Sequence, residues 1–404
     1  MNQYELLGLE MGLDENGLVA GKVTGALTRE LSGFFDLYLM KLNTNKVIAQ
    51  KRGGNVYTCF LPPLPSKAGV KDLGRKLMRK LLKTTIPSTC TLSVTYACQA
   101  KCVHCSASLN MAKKGKELNT EEFKKVIDQA IELGVVNITL TGGEPLLRKD
   151  IFELIRHVNP DEANCMMFTN GEYLTEKNCQ KLAEAGLFAA MVSLDSADPK
   201  IHDDYRKIPG LFDKALKGIE RAKKAGILVG ISTYATREEY HDGSFEKLLN
   251  IGKDIGIHEI VVFDPVPTGK LINEIDMILT EEEKEEIAKL TNEFRLKPGY
   301  PGVITQAWIN GPKGSGCFAG NEQFYMTSYG DICPCDFTPL SFGNVREDSL
   351  ETIWNRMLSH PAYSAKCNHC RMQDLEFRKK YIDTIPEDSF FPYPVYSQSC
   401  LLNS

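Results

Sequence analysis

No run of about 20 apolar residues occurs anywhere in the chain, which excludes a membrane-spanning helix. No excess of one charge occurs either: 48 Lys and Arg against 52 Asp and Glu leave a formal −4. That balance removes the general electrostatic case for nucleic-acid binding. The compositional bias of a disordered or fibrous chain is also missing, with 25% charged and 43% hydrophobic residues. The opening MNQYELLGLEMGLDENG is acidic and lacks a signal-peptide core, so a cytoplasmic protein is expected. The 13 cysteines are odd in number and clustered, which fits an intracellular metal protein better than a disulfide framework. At 404 residues the chain is long enough for two or three domains.

Residues 1–88 differ in texture from the rest and form an N-terminal extension. Val23, Leu27, Leu31, Phe35 and Leu42 recur at near-helical spacing and predict an amphipathic helix, against Gly21, Gly25 and Gly33. Val47–Phe60 reads as a hairpin around Gly53-Gly54, and Pro62-Pro63-Leu64-Pro65 then breaks the chain. Lys71–Lys83 reads KDLGRKLMRKLLK, with Leu73, Leu77 and Leu81 in one stripe among six cations. Two accounts fit it: a helix packed on its own domain, or one making a peripheral contact with an anionic membrane.

From residue 89 a βα rhythm begins. Strands are predicted at Thr91–Tyr96, Asn137–Thr141, Cys165–Thr169, Ala189–Leu194, Ile227–Thr233 and Glu259–Phe263. Helices fall between them, one opened by the capping signal Asn119 with Glu122. Thr280 with Glu283 caps a further helix. Such alternation implies α/β architecture: a partial (β/α)6 barrel of the TIM type over residues 89–299. After Lys297-Pro298-Gly299 the texture becomes Gly- and Cys-rich, giving a small C-terminal domain at 300–384 and an aromatic, Pro-rich tail at 385–404. That tail packs on the surface or covers a substrate opening.

Cys98, Cys102 and Cys105 stand in YACQAKCVHCSAS directly after the first strand, spaced C-x3-C-x2-C. Thiolates at such intervals on one loop converge on one metal centre. Three thiolates on four irons leave one iron open; zinc, which wants a fourth ligand such as His104, is the alternative. In this setting the motif resembles the radical S-adenosylmethionine (AdoMet) superfamily, over about residues 89–265. Gly142, Gly143, Glu144 and Pro145 resemble that family's segment for the methionyl amino group. Thr169-Asn170-Gly171 ends the third strand, and Ser193-Leu194-Asp195 is similar to the family's element near the ribose. HDDYRKIPG resembles the segment whose arginine meets the cofactor carboxylate, here Arg206, and His104 stands where an aromatic residue flanks the adenine. The resemblance implies a [4Fe-4S] cluster, reductive AdoMet cleavage to a 5′-deoxyadenosyl radical, hydrogen abstraction from an unactivated C–H bond, and an electron donor such as flavodoxin or ferredoxin.

A second cysteine set reads C-x12-G-x4-C … C-x2-C at Cys317, Gly330, Cys335, Cys367 and Cys370. It resembles the superfamily's auxiliary-cluster domains, called SPASM and, in the shorter form, twitch. That implies one auxiliary [4Fe-4S] cluster on Cys317, Cys335, Cys367 and Cys370, assisting electron transfer or substrate binding, with a zinc ribbon as the alternative. Cys333 competes with Cys335, and the G-x4-C spacing selects Cys335. Cys59, Cys90, Cys165, Cys179 and Cys400 read as buried thiols. The competing function is an iron–sulfur electron carrier or sensor, which would not need the GGEP, SLD and Arg206 elements. The substrate is open among small molecules, tetrapyrroles, lipids and peptides. The Pro/Gly loop Asp264–Lys270, similar to loops of tetrapyrrole-acting relatives, lies on the active face.

Overall fold

Strands buried on both faces need one apolar row toward the helices and a second row toward the interior. The computed structural model describes residues 8–26, 28–82, 84–112, 115–311 and 314–395. It forms a parallel sheet of strands β1 (Thr89–Thr95), β2 (Asn137–Gly142), β3 (Asn164–Thr169), β4 (Ala189–Ser193), β5 (Leu228–Tyr234), β6 (Glu259–Phe263), β7 (Gly302–Thr305) and β8 (Gln323–Met326). A short β9 (Ile332–Cys333) pairs antiparallel with β8, and the order is β7-β6-β5-β4-β3-β2-β1-β8-β9. The sheet curls but its edges β7 and β9 do not pair, so the barrel is open. β1 to β6 match the expected strands within two residues at each end.

β7 and β8 depart from the expectation. Both lie beyond residue 300, so the sheet runs past the boundary placed there. β7 pairs parallel with β6 and β8 with β1, which ties the C-terminal segment to both sheet edges. The expected capping boxes are present: Asn119 with Glu122 opens helix Thr120–Leu133, and Thr280 with Glu283 opens Glu281–Leu296. Cys90, Leu92 and Val94 of β1, with their counterparts on the other strands, pack on helix residues such as Phe123, Ile127 and Leu182.

In the N-terminal extension, Val23 ends a hairpin, Leu9–Leu13 with Val19–Val23, and the helix begins only at Thr28. The glycines decide this: a side chain at Gly21 would stand 2.3 Å from Glu10 O across the pairing. Leu31, Phe35 and Leu39 are the buried face of helix Thr28–Leu42, while Leu42 is only partly covered. The second hairpin, Ala49–Lys51 with Gly54–Val56, turns on Arg52-Gly53, both at positive φ (52° and 73°). That is one residue earlier than Gly53-Gly54. Its continuation plugs the barrel: Val56 and Cys59 pack on Met166, Phe188, Met191, Leu228 and Val261. Cys59 N donates to Glu259 Oε2 at 2.9 Å, inside the same plug. The N-terminal ends of the strands are thus closed, and the C-terminal ends are the face left for chemistry.

The basic segment lies in helix Lys67–Leu82. Leu73 and Leu77 are buried against Leu31 and Phe35, worth about 3–6 kcal/mol together. Lys67 pairs with Asp161, Lys71 with Glu162 and Lys76 with Asp72. Arg75 donates to Gly134 O at 2.5 Å, and Arg79 lies 3.9 Å from Glu322. Leu73 and Leu77 of the stripe and the cations Lys71, Arg75, Lys76 and Arg79 are thus engaged within the chain, as the domain-packing account expects, and Leu81 is 39% exposed. Among the described residues no helix is long and apolar enough to cross a membrane. Leu27, Lys83, Cys400, the side chain of Lys80 and the tail from residue 396 lie outside the described residues.

Candidate active site

The loop carrying Cys98, Cys102 and Cys105 leaves β1 at its C-terminal end. Tyr96 N donates to Glu117 Oε1 at 2.7 Å, fixing the exit. Gly143 N donates to Thr95 O at 2.7 Å and Glu144 N to Ala97 O at 2.8 Å, so the GGEP turn is stitched to the cysteine loop. Only glycine fits there. A Cβ on Gly143 would lie 2.3 Å from Ala97 O and 2.8 Å from Cys98 Cβ, and Gly142 sits at φ 141° with Thr95 O 2.1 Å from its missing Cβ. On the other side, Val103 N donates to Tyr205 O at 2.9 Å and Lys270 Nζ to Cys102 O at 2.6 Å. The three cysteines are half-buried, and none is in a disulfide. Burial pushes the Cys98 thiol up to about 11, with Cys102, Glu144 and Cys105 adding to it; burial also raises Cys105.

Glu144 is fully buried. Its carboxylate accepts from Thr169 Oγ1 (2.8 Å), Asn170 N (2.9 Å) and Leu146 N (3.1 Å). Burial outweighs these donors and holds its pKa at about 7. Pro145 begins the short turn Pro145–Leu147 that Glu144 caps. Glu144 thereby joins the ends of β2 and β3, bringing the GGEP turn, Thr169 and Asn170 together. Ser193 and Asp195 follow at the end of β4. Arg206 holds Asp195 through two parallel hydrogen bonds, Nε–Oδ2 at 2.5 Å and Nη2–Oδ1 at 2.7 Å, and its Nη1 lies 3.8 Å from Cys102 Sγ. Arg206 and Asp195 are therefore first of all partners of each other.

His104 stacks on Tyr234 (centroids 5.0 Å apart, 7° between planes), meets Tyr205 edge-on at 6.1 Å, and lies 3.8 Å from Asp195. Burial lowers its pKa to about 4, so the ring is neutral at pH 7. Tyr234 ends β5 and Tyr205 precedes Arg206; sequence reasoning missed both, because nothing local marks which tyrosine a histidine will meet. His202 was also unmarked: its Nδ1 accepts from Asp195 N at 3.1 Å. The Asp264–Lys270 loop does reach this face. Lys270 N donates to Cys105 O at 3.1 Å and Thr268 Oγ1 to Phe337 O at 2.8 Å, and Arg378 Nη1 donates to Pro267 O at 3.0 Å. One loop therefore touches both cysteine-bearing segments.

In the C-terminal segment Cys317, Cys335 and Cys370 are buried and Cys367 is half-buried. Cys317 N donates to Cys367 O at 2.8 Å. Burial and then the neighbouring Cys317 push the Cys335 thiol up to about 12, and burial, Cys317 and Cys335 raise Cys370. Those three thiols share one neighbourhood. Cys333 instead sits opposite Tyr325 in the β8–β9 pairing. There it neighbours the Tyr96–Tyr325 hydroxyl pair, whose oxygens are 2.9 Å apart, and adds to the upward shift of both tyrosines after burial. Cys59, Cys90, Cys165 and Cys179 are buried, as expected.

Comparison with known proteins decides the family. Residues 92–251 match the Radical SAM superfamily, and residues 317–371 match SPASM, an iron-sulfur cluster-binding domain. The AdoMet-dependent heme synthase of Oleidesulfovibrio alaskensis is 30% identical over 310 residues, covering 70% of this chain and 79% of that protein. The chain belongs to the radical SAM superfamily. The AdoMet-dependent heme synthase of Methanosarcina barkeri is 29% identical, over 71% of this chain and 89% of its own. The PqqA peptide cyclase of Bradyrhizobium diazoefficiens is 24% identical over 72% and 80%. In fold, the chain is similar to Streptococcus suis SuiB bound to its precursor peptide SuiA, with TM-score 0.58, 16% identity and 85% of each chain covered.

A radical SAM domain implies a [4Fe-4S] cluster and AdoMet, and a SPASM domain implies auxiliary iron–sulfur clusters. The residues present fit these groups. The two glycines leave a cradle beside Cys98 that any Cβ would fill. The buried His104 Nδ1 and Gln99 Oε1 have no hydrogen-bond partner among the described residues. Among the described residues, no three His, Cys, Asp or Glu side chains are gathered closely enough for one metal ion.

Proposed function

We propose that the protein is a radical AdoMet enzyme that removes hydrogen from an unactivated C–H bond of a tetrapyrrole precursor of heme. When bound, the reduced [4Fe-4S] cluster supplies the electron that splits AdoMet into methionine and a 5′-deoxyadenosyl radical. The protein's own residues perform the other tasks. Cys98, Cys102 and Cys105 offer three thiolates from one loop, pinned on both sides by backbone hydrogen bonds. Gly142 and Gly143 let the backbone approach the methionyl end closely, with Glu144 holding Thr169 and Asn170 in place around it. The neutral His104, backed by Tyr234, offers a flat wall to the purine. Ser193 and Asp195 face the ribose side, and Arg206 neutralises Asp195 so that the buried carboxylate keeps its charge. Burial of this face excludes water from the radical. Cys317, Cys335, Cys367 and Cys370 hold one auxiliary cluster, and a flavodoxin or ferredoxin delivers the electron.

The observation that carries the radical reading is the convergence of the cysteine loop, the GGEP turn and the Asp195–Arg206 pair at the C-terminal strand ends. An electron carrier has no use for such a clamp. The tetrapyrrole reading is favoured by the two heme-synthase relatives, which are more similar than the peptide cyclase. Anaerobically reconstituted protein, given AdoMet and a reductant, should release 5′-deoxyadenosine, faster with a propionate-bearing iron porphyrin than with a peptide. Equal rates with and without the porphyrin would sink the substrate assignment. Absence of 5′-deoxyadenosine under every condition would sink the radical reading.

A further inference from the structure

The C-terminal cysteine site is flanked by two buried polar residues, Tyr363 and Arg371, whose hydrogen bonding among the described residues is incomplete. Tyr363 is fully buried, and apart from a contact with the Thr338 side chain its Oη has no hydrogen-bond partner among the described residues. The hydroxyl lies beside Thr338 and the Cys335 and Cys317 thiols. Thr338 Oγ1 itself is 3.2 Å from Cys335 Sγ. The ring is locked in place: Phe342 meets it edge-on at 5.5 Å, Phe377 at 6.3 Å, and a Cβ on Gly320 would stand 2.6 Å from it. The second donor is Arg371, the residue after Cys370. It is 5% exposed, and its Cζ lies 4.9 Å from the Tyr363 ring centroid. Arg371 Nε donates to Ala362 O and Nη2 to Ala365 O, both at 2.8 Å, while Nη1 has no hydrogen-bond partner among the described residues.

A buried donor left unmade is costly, and a buried cation more so, unless an acceptor or counter-charge occupies the site. A [4Fe-4S] core on four thiolates is an anion in both oxidation states, with sulfurs that accept hydrogen bonds. It meets both needs at once. We propose that Tyr363 Oη and Arg371 Nη1 donate to the sulfurs of the auxiliary centre and raise its reduction potential. The proposal rests on the four-cysteine reading given above. Donors and positive charge stabilise the reduced, more negative cluster, so removing either lowers the potential. Both residues are positioning residues, with no contact to substrate required.

The test is an EPR-monitored redox titration of protein carrying Cys98→Ala, Cys102→Ala and Cys105→Ala, so that auxiliary iron alone is read. Into it go Tyr363→Phe, which keeps the ring and removes only the hydroxyl, and separately Arg371→Gln. Each should retain its iron and show, at fixed ambient potential, a reduced-to-oxidised ratio lower by roughly tenfold, about 59 mV for one electron. An unchanged potential in iron-loaded Tyr363→Phe overturns the proposal and leaves the four-cysteine reading standing. Loss of iron from Tyr363→Phe overturns it in favour of a packing role. A parent triple variant that binds no iron overturns the four-cysteine reading, and the proposal with it.

Discussion

Replacing Arg206 by Ala tests whether the pair at its centre organises the site. Asp195 is buried, and both its oxygens take hydrogen bonds from Arg206, at 2.5 and 2.7 Å. Burial alone would raise the Asp195 pKa, but Arg206, then His104 and His202, overcome it and hold the carboxyl below its usual value. A carboxyl depressed on folding contributes stability that is present above its unfolded pKa and lost as pH falls through the folded one. Removing the guanidinium reverses the sign: burial then raises the pKa and the buried carboxylate becomes a penalty. Breaking a buried pair in this way costs about 3–5 kcal/mol. Urea unfolding of iron-free protein should show that loss at pH 7.5 and a smaller one near pH 5, where Asp195 takes up a proton. Adding Asp195→Asn to Arg206→Ala should restore part of the stability. A double variant as unstable as Arg206→Ala, with no pH dependence, would refute the electrostatic account.

Gly143→Ala should dislodge the cysteine loop, because its Cβ would lie 2.3 Å from Ala97 O; reconstituted iron should fall by about half, with the auxiliary iron kept, as measured by iron assay. Glu259, in the barrel plug, is held by burial at about 7 against 4.5 for a free Glu, so its penalty grows as pH rises from 4.5 to 7. Glu259→Gln should therefore match the parent near pH 5 and exceed it by roughly 3 kcal/mol at most near pH 8 in the same urea assay. In the background lacking Cys98, Cys102 and Cys105, Cys335→Ala should lower bound iron and Cys333→Ala should not, since Cys333 sits with Tyr96 and Tyr325.

The strands β1 to β6 were legible because each is a short run of strand-forming residues, most of them close to a glycine, and the runs alternate with helical stripes. The capping boxes at Asn119 and Thr280 were legible because their hydrogen bonds are local. The strands β7 and β8 are four residues each, too short for a period, and their pairing is set by distant edges. The hairpin near Gly53 was legible, but its service as a barrel plug was not, since Val56 and Cys59 find their partners across the whole sheet. Lys67–Leu82 fitted two accounts in sequence, an interfacial helix or one packed on its own domain, and only the fold shows that Lys67, Lys71 and Arg79 meet Asp161, Glu162 and Glu322. In the candidate site, spacing singled out the cysteines and the GGEP turn, whereas the ring contacts of Tyr234 and Tyr205 and the Arg371–Tyr363 approach are ones that spacing does not encode.

The central claim is that Cys98, Cys102 and Cys105 support AdoMet cleavage. Parent protein and the variant carrying Cys98→Ala, Cys102→Ala and Cys105→Ala are reconstituted anaerobically, reduced, given AdoMet and assayed for 5′-deoxyadenosine. Loss of these thiolates removes the ligands of the AdoMet-binding centre but not those of the C-terminal one. The account predicts 5′-deoxyadenosine and methionine from the parent, none from the variant, and residual iron in the variant held at Cys317, Cys335, Cys367 and Cys370. Undiminished 5′-deoxyadenosine from the triple variant would contradict it.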